Sequence, residues 1–320
     1  MSDESIGTIR IGISACLLGQ QVRFDGGHKR DTYITELLAN YFEWVPVCPE
    51  VEVGMGTPRE SVRLVGSVEA PRMVTGRSLV DWTGRMTRYA RDRVEVLKSL
   101  NLDGYILKRK SPSCGMERVK VYAESGMPAY DGVGLFAREL LARLPNLPVE
   151  EEGRLNDPQL RENFIVRVFG HARWRNLRAQ RFSAGRLVAF HARHKLVLMA
   201  HSQTHLRTLG KIVSNLKGKS AAEVLDAYET GFFDALRCPS TRARHANVLN
   251  HIAGYFKREA SSLARQELAE VIDRYRRGLL PLIVPITLLR HHLLIFPQPY
   301  LQDQVYLQPH PQELLLLNHV

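Results

Sequence analysis

Apolar residues in the first 150 positions follow two periods. Short runs at 8–14, 44–48, 104–108 and 119–123 are rich in aliphatic residues and read as strands with little solvent contact. Between them, 32–41, 85–100 and 135–144 carry apolar residues at three- and four-residue spacing, as helices with one buried face do. Strand and helix alternate, which predicts an α/β domain with a mostly parallel sheet. The stretch from Leu144 to Gly153 is rich in proline and glutamate and breaks the pattern. We therefore expect a first domain at 1–148, a linker at 149–157 and a second domain at 158–320. Asp157-Pro158 reads as a helix start, and 159–180, 183–209, 221–236, 245–257 and 261–277 are helical in period, so the second domain is expected to be all-α. The tail from Phe296 mixes proline, glutamine and leucine, which suggests an extended arm packed back on the domain.

The apolar run 279–289 contains Pro281 and Pro285 and is too short to span a bilayer, so no membrane association is expected. The opening Met-Ser-Asp-Glu-Ser is too polar for a secretory signal, and four widely spaced cysteines do not form a disulfide framework. Both features point to the cytoplasm. Charge separates the halves: residues 1–150 hold 20 Lys and Arg against 19 Asp and Glu, whereas 151–320 hold 24 against 14. Eleven of the twelve histidines also fall in the second half. A cationic excess confined to one half predicts a polyanionic partner, with nucleic acid the leading class.

Three cysteines share one context. Cys16, Cys48 and Cys114 each follow an apolar run and precede turn residues. In a parallel sheet such positions converge outside the carboxyl ends of the strands, where open α/β folds bind ligands. Their spacing excludes the close ligand pairs of common zinc loops. Zinc, a complete iron–sulfur cluster and a cluster with one open position remain as readings. Cys238 is expected to be structural.

Four ordered motifs, Ser14-Ala-Cys-Leu-Leu-Gly19, Val22-Arg-Phe-Asp-Gly-Gly-His-Lys29, Pro46-Val-Cys-Pro-Glu50 and Leu107-Lys-Arg-Lys-Ser-Pro-Ser-Cys-Gly115, resemble the motif set of the TudS-type thiouracil desulfidases over roughly 8–145. The second half, from His191-Ala-Arg-His-Lys195 through the stretch 242–257, is similar to the helical domain often fused to that family. The whole arrangement resembles the RudS-type 4-thiouridine desulfidases. The resemblance implies a [4Fe-4S] cluster with three protein ligands, Cys16, Cys48 and Cys114, its fourth iron free to take the sulfur of a thiolated pyrimidine. It also implies a non-redox conversion of 4-thiouridine-type bases to uridine, with a thiolated nucleoside, nucleotide or tRNA as substrate.

Such chemistry needs proton management. Glu50, two residues after Cys48, is the expected general acid or base, and Ser111 the second candidate. Asp25, His28, Lys29, Ser113 and Lys108 are expected to touch substrate, Ser113 alternatively the cluster sulfide and Lys108 alternatively solvent. Gly132-Val-Gly134 mimics a dinucleotide fingerprint but reads better as a helix start. In the second half, Arg161, Arg167, Arg173, Arg175, Arg178 and Arg181, then Lys211, Lys217 and Lys219, then Arg242, Arg244, His245, Lys257 and Arg258 form three basic clusters suited to RNA phosphates. His191, His194, His201 and His205 read as solvated or RNA-facing. Two rivals stand beside the tRNA desulfidase: the same chemistry on free thiouracil or thiouridine nucleotides, and a non-enzymatic RNA-binding protein with a structural metal.

Overall fold

The computed structural model describes residues 6–123, 125–314 and 316–318. The chain divides into two compact units, Ile6–Asp157 and the residues from Pro158 onward.

In the first unit, β1 (Arg10–Ser14), β2 (Glu43–Val47), β5 (Gly104–Leu107) and β8 (Val149–Glu151) form an all-parallel sheet in the order β2-β1-β5-β8. β1 is central: Ile11 pairs with Trp44 on one side and Gly104 on the other. Gly12 is required there, because a β-carbon would stand 2.2 Å from the Tyr105 ring. Helix α1 (Thr83–Ser99) buries Met86, Ala90, Val94 and Leu97, and α2 (Leu135–Arg143) buries Leu135, Phe136, Ala137 and Leu140. These faces meet Tyr105, Leu107 and Val149 in the core.

A second sheet lies outside the sequence expectation. The hairpin β3 (Val62–Gly66) and β4 (Pro71–Thr75) joins a hairpin of β6 (Val119–Tyr122) and β7 (Pro128–Gly132), with β3 and β6 parallel. The strand expected at 119–123 is β6; β4 is mostly buried and β7 mostly exposed, so neither alternates, and Arg63 and Arg72 interrupt the apolar signal of β3 and β4. The segment expected to be helical at 32–41 is helical but irregular, a wide π turn at Tyr33–Leu37 running into a 3-10 turn at Leu38–Asn40.

The expected linker at 149–157 is corrected too. Val149–Glu151 completes the parallel sheet as an edge strand, with Tyr105 opposite Val149 and Leu107 opposite Glu151. Three successive glutamates suggest solvent, yet all three are buried and each has a partner. Arg154 Nε donates to Glu150 at 2.6 Å, Met116 N donates to Glu151 at 2.8 Å, and Glu152 receives Lys108 and Arg109. Burial pushes the Glu151 carboxyl above its ordinary pKa.

The second unit is all-α, as expected. It comprises α3 (Pro158–Arg178), α4 (Ala184–His201), α5 (Gln203–Ser214), α6 (Ala221–Arg237), α7 (Arg242–Ala253), α8 (Ser262–Arg276) and α9 (Ile283–Ile295). The continuous helix expected at 183–209 breaks at Ser202, whose side chain caps α5 by accepting from His205 N. Trp174 stacks on Tyr228 at 5.3 Å and donates to Glu229 at 2.9 Å, so this interleaved aromatic is core. The tail does pack back, sending Leu301, Val305, Tyr306 and Leu307 into that core, but through the short helix α10 (Pro299–Gln302) and helical turns rather than an extended arm. Cys238 ends α6 and its thiol donates to the Asp234 carbonyl at 3.5 Å, a structural position.

The reading of the histidines is overturned at His194 and His201, while His191 and His205 are half-buried. His194 and His201 are buried, bonded through Nδ1 to the carbonyls of Phe190 and Cys238. His245 is buried against the Tyr306 hydroxyl at 2.9 Å. His191 bonds the Tyr228 hydroxyl and His205 the Ser202 hydroxyl. A histidine whose ring finds a carbonyl or hydroxyl partner is accommodated in a helical core.

Candidate active site

Parallel strands end together, so the loops leaving them are gathered at one edge of the sheet. β1 runs into a helical turn, Ala15–Leu18, that carries Cys16 and closes at Gly19 in the left-handed region at φ 92°. β2 runs directly into Cys48, and β5 into the loop 108–115 that carries Cys114. The three thiols line one cavity of about 230 Å³. Glu50, Lys108 and Ser111 line it as well. Asp25, His28 and Lys29 are exposed and are not brought into its wall.

The cysteine backbones are pinned. Cys16 O accepts from Lys29 N at 2.8 Å, and Cys48 N donates to Glu52 at 3.0 Å. Cys114 sits in a turn whose organiser is Ser111: its hydroxyl accepts from Ser113 N at 3.2 Å and Cys114 N at 3.1 Å. That turn rests on the start of α2, where the Pro112 and Ser113 carbonyls accept from Leu135, Phe136 and Ala137 N. Gly134 makes the seat possible, since a β-carbon there would stand 2.4 Å from the Ser113 carbonyl oxygen. Gly134 therefore serves close packing under Cys114, whereas Gly132 packs against β6, where a β-carbon would stand 2.7 Å from the Val119 carbonyl oxygen.

Burial raises all three thiols: Cys16 is pushed up to about 11, Cys48 is raised, and Cys114 lies well above its ordinary value. Ser14 works against burial at Cys114, hydrogen-bonding its sulfur while accepting from Lys108 N at 2.9 Å.

Glu50 is clamped from two sides. Arg59 reaches Oε2 through Nε at 3.1 Å and Nη2 at 2.5 Å, while the Ser113 hydroxyl donates to Oε1 at 2.8 Å. Arg59 also donates to the carbonyls of Val22 and Gly56, each at 2.9 Å. Ser111 thus lines the cavity and also shapes the turn, and Ser113 donates to the acid. Lys108 is not solvated but paired with Glu152.

The sequence reading missed Ser14, Arg23, Phe24, Arg59 and Ser61, all in the cavity wall. Phe24 is 41 % exposed there, with the Arg23 guanidinium 5.4 Å from its ring centroid. Both lie in the motif 22–29, where the neighbouring polar residues carry the more obvious signal. Asp25 is a turn-former: Gly27 N donates to its carboxylate, which that bond and Arg23 hold below the usual range. Arg59 carries no local signal, because its role arises from a loop that returns to the cavity. Among the described residues, no three His, Cys, Asp or Glu side chains gather closely enough to hold a single ion. The thiols ring a cavity instead.

A parallel-sheet domain with three strand-end thiols and a clamped carboxylate around one crevice, followed by a separate all-helical domain, defines a two-part chain of the α/β ligand-binding class. The 2-thiouracil desulfurase family matches residues 11–152, and a family described as protein of unknown function DUF1722 matches 195–311. Uncharacterized protein YbgA of Escherichia coli (strain K12) is 31 % identical over 163 residues, 51 % of this chain and 96 % of that protein. Uncharacterized protein YbbK of Bacillus subtilis (strain 168) is 30 % identical over 115 residues, 32 % of this chain and 71 % of that protein. A solved structure of a [4Fe-4S]-dependent thiouracil desulfidase, TudS, is 29 % identical, covering 47 % of this chain and 95 % of that one, with a TM-score of 0.37. The chain belongs to the 2-thiouracil desulfurase family, with a DUF1722 helical part joined to it. The family match ends at Glu152, so it includes the edge strand β8. No helix among the described residues is long and apolar enough to cross a membrane.

Proposed function

We propose that this chain is a cytoplasmic desulfidase that converts 4-thiouridine-type bases to uridine, in tRNA, with a [4Fe-4S] cluster held by Cys16, Cys48 and Cys114. The donor set fits such a group: three soft sulfur ligands on three adjacent strand ends ring a cavity, and none of them is in a disulfide. When bound, the cluster would supply a soft Lewis acid toward a thiocarbonyl sulfur. Because burial keeps the thiols protonated, ligation must release protons.

The chain's own groups then account for the rest. The Phe24 face offers an apolar platform on which a pyrimidine ring can lie. Glu50 takes a proton from water as its oxygen bonds to the ring carbon and returns it as the carbon–sulfur bond breaks. Water replaces sulfur, sulfide leaves with the displaced protons, and no electrons change hands. Arg59 and Ser113 fix the carboxylate so that one oxygen is not free to swing away. The carrying observation is this clamped Glu50 in the same cavity as three thiols.

Glu50→Gln keeps the shape and the Ser113 contact but removes the base. Anaerobically loaded Glu50→Gln protein should retain its cluster absorbance and lose turnover of 4-thiouridine by about 10²–10⁴-fold. Full turnover in that variant would remove Glu50 from the mechanism.

A further inference from the structure

The three cysteines do not leave their strands alike. Cys48 directly follows Val47, the end of β2, and Cys16 stands two residues beyond Ser14, the end of β1. Cys114 stands seven residues beyond Leu107, the end of β5, so the sheet alone does not fix it. Its anchoring differs as well. Cys48 N reaches Glu52 only four residues on, whereas the loop 108–117 finds its partners on and just after β8, 34 to 44 residues further along the chain.

Two adjacent carboxylates hold this loop. Glu152 takes its start, accepting from Arg109 N at 2.8 Å and pairing with the Lys108 ammonium. Glu151 takes its end, accepting from Met116 N at 2.8 Å and from Glu117 N at 3.5 Å. Successive residues of a strand point to opposite faces, which lets neighbours in sequence reach the two ends of one loop. Arg154 adds a third tie, donating to Glu150 at 2.6 Å and to the Glu117 carboxylate at 2.9 Å. Between these ends the loop carries Ser111 and Cys114 into the cavity wall, and Lys108 lines the same wall. Burying successive carboxylates on an edge strand is costly, and apolar residues would complete the sheet without that cost. The ladder uses only their backbones; the side chains of Glu151 and Glu152 serve the loop.

We propose that Glu151 and Glu152 are positioning residues of the thiol site, a clasp that holds the loop 108–117 at both ends and so presents Cys114 to the cluster from a preformed place. This rests on the reading that Cys16, Cys48 and Cys114 hold the cluster. A ligand held in place before the group arrives needs no ordering on binding, so the clasp bears on how firmly iron is kept. Glu152 also keeps the Lys108 ammonium beside the cavity, where three thiolates would gather negative charge.

The test uses the full chain carrying Glu151→Ala or Glu152→Ala, with Val94→Ala as a core deletion on α1 that weakens the same unit. In metal-free protein, deuterium uptake over 108–117 should be about ten- to a hundredfold faster in the two glutamate variants, as losing hydrogen bonds to a charged acceptor implies. After anaerobic loading, iron should pass to a chelator faster by a similar factor. Glu151→Gln keeps an acceptor oxygen for Met116 N and should restore both readouts to near wild type. Glu152→Gln keeps one for Arg109 N but gives up the ion pair, so it should fall between, and it replaces Glu152→Ala if that chain does not fold. Val94→Ala should lower the denaturation midpoint and speed exchange across the whole unit alike, without a matching rise in iron loss. Wild-type exchange over 108–117 in both glutamate variants, or iron loss that follows the midpoint equally in Val94→Ala, would overturn the clasp. Unsubstituted protein that takes up no iron would overturn the cluster reading instead, and exchange over 108–117 would still decide whether the carboxylates hold the loop.

Discussion

Arg59 has 6 % of its side chain exposed and Glu50 14 %, and the pair is closed by the Ser113 hydroxyl and two backbone carbonyls. Removing one partner of a buried pair leaves the other charge uncompensated, which costs more than the pair contributes. Arg59→Gln should therefore destabilise the first unit by about 3–5 kcal/mol, readable as a lowered denaturation midpoint. It should also release the carboxylate and reduce turnover, whereas Glu50→Gln leaves the buried Arg59 guanidinium without its counter-charge, so it should cost comparable stability and be harsher in turnover. A midpoint shift below about 1 kcal/mol for Arg59→Gln would mean that the guanidinium is not the anchor. At this scale the sequence is informative where chemistry is short-range: Cys16, Cys48, Cys114 and Glu50 lie at strand ends that periodicity can find. It is uninformative where the partner comes from a distant loop, as with Arg59, or where a hydroxyl can serve either a turn or a site, as with Ser111 and Ser113.

The element that positions Cys114 is the contact between its turn and the N-terminus of α2. The leading N–H groups of that helix find acceptors in Pro112 and Ser113, so helix and thiol are located together. Gly134→Ala forces a β-carbon against the Ser113 carbonyl. We expect the variant to fold with a lower midpoint, by roughly 1–3 kcal/mol, and to hold less iron after anaerobic loading than wild type. Iron content equal to wild type would show that the turn tolerates displacement. Elements of this unit are readable in proportion to their apolar regularity. β1, β2, β5, α1 and α2 lie within a few residues of their expected limits. β3, β4 and β7 escape a periodicity reading, because Arg63, Arg72 and Asp131 interrupt their runs. β8 reads as linker because its carboxylates are neutralised by tertiary partners that no local window contains.

Across the whole molecule, charge and burial sort the basic half into two populations. Of the four histidines that the sequence offers as a wet surface, His194 and His201 are core, and burial holds His201 and, in the C-terminal tail, His310 down to about 4 each. Their folded pKa lies below the unfolded value, so protons bind the unfolded chain more readily. The stability they permit is complete above about pH 6.5 and is lost as pH falls from there toward 4, by roughly 3 kcal/mol for each ring. Denaturation midpoints of the full chain should therefore fall steeply between about pH 6.5 and 4.5, and less steeply in His201→Gln. An identical pH profile in that variant would remove His201 as a contributor. The lysines and arginines of α4 and α5 form the other population, which the fold leaves without carboxylate partners among the described residues. The division at residue 157 keeps the thiol cavity and this cationic surface on separate compact units. The most direct test of the proposed chemistry is desulfidation of an RNA substrate. Anaerobically reconstituted protein is incubated with 4-thiouridine-containing tRNA in ¹⁸O-labelled water, and the digested nucleosides are weighed by mass spectrometry. Uridine carrying one ¹⁸O at the former sulfur position is expected, with sulfide released, and none of this in Cys48→Ser protein. Fully iron-loaded wild-type protein that leaves 4-thiouridine intact, in tRNA and as the free nucleoside, would refute the proposed chemistry.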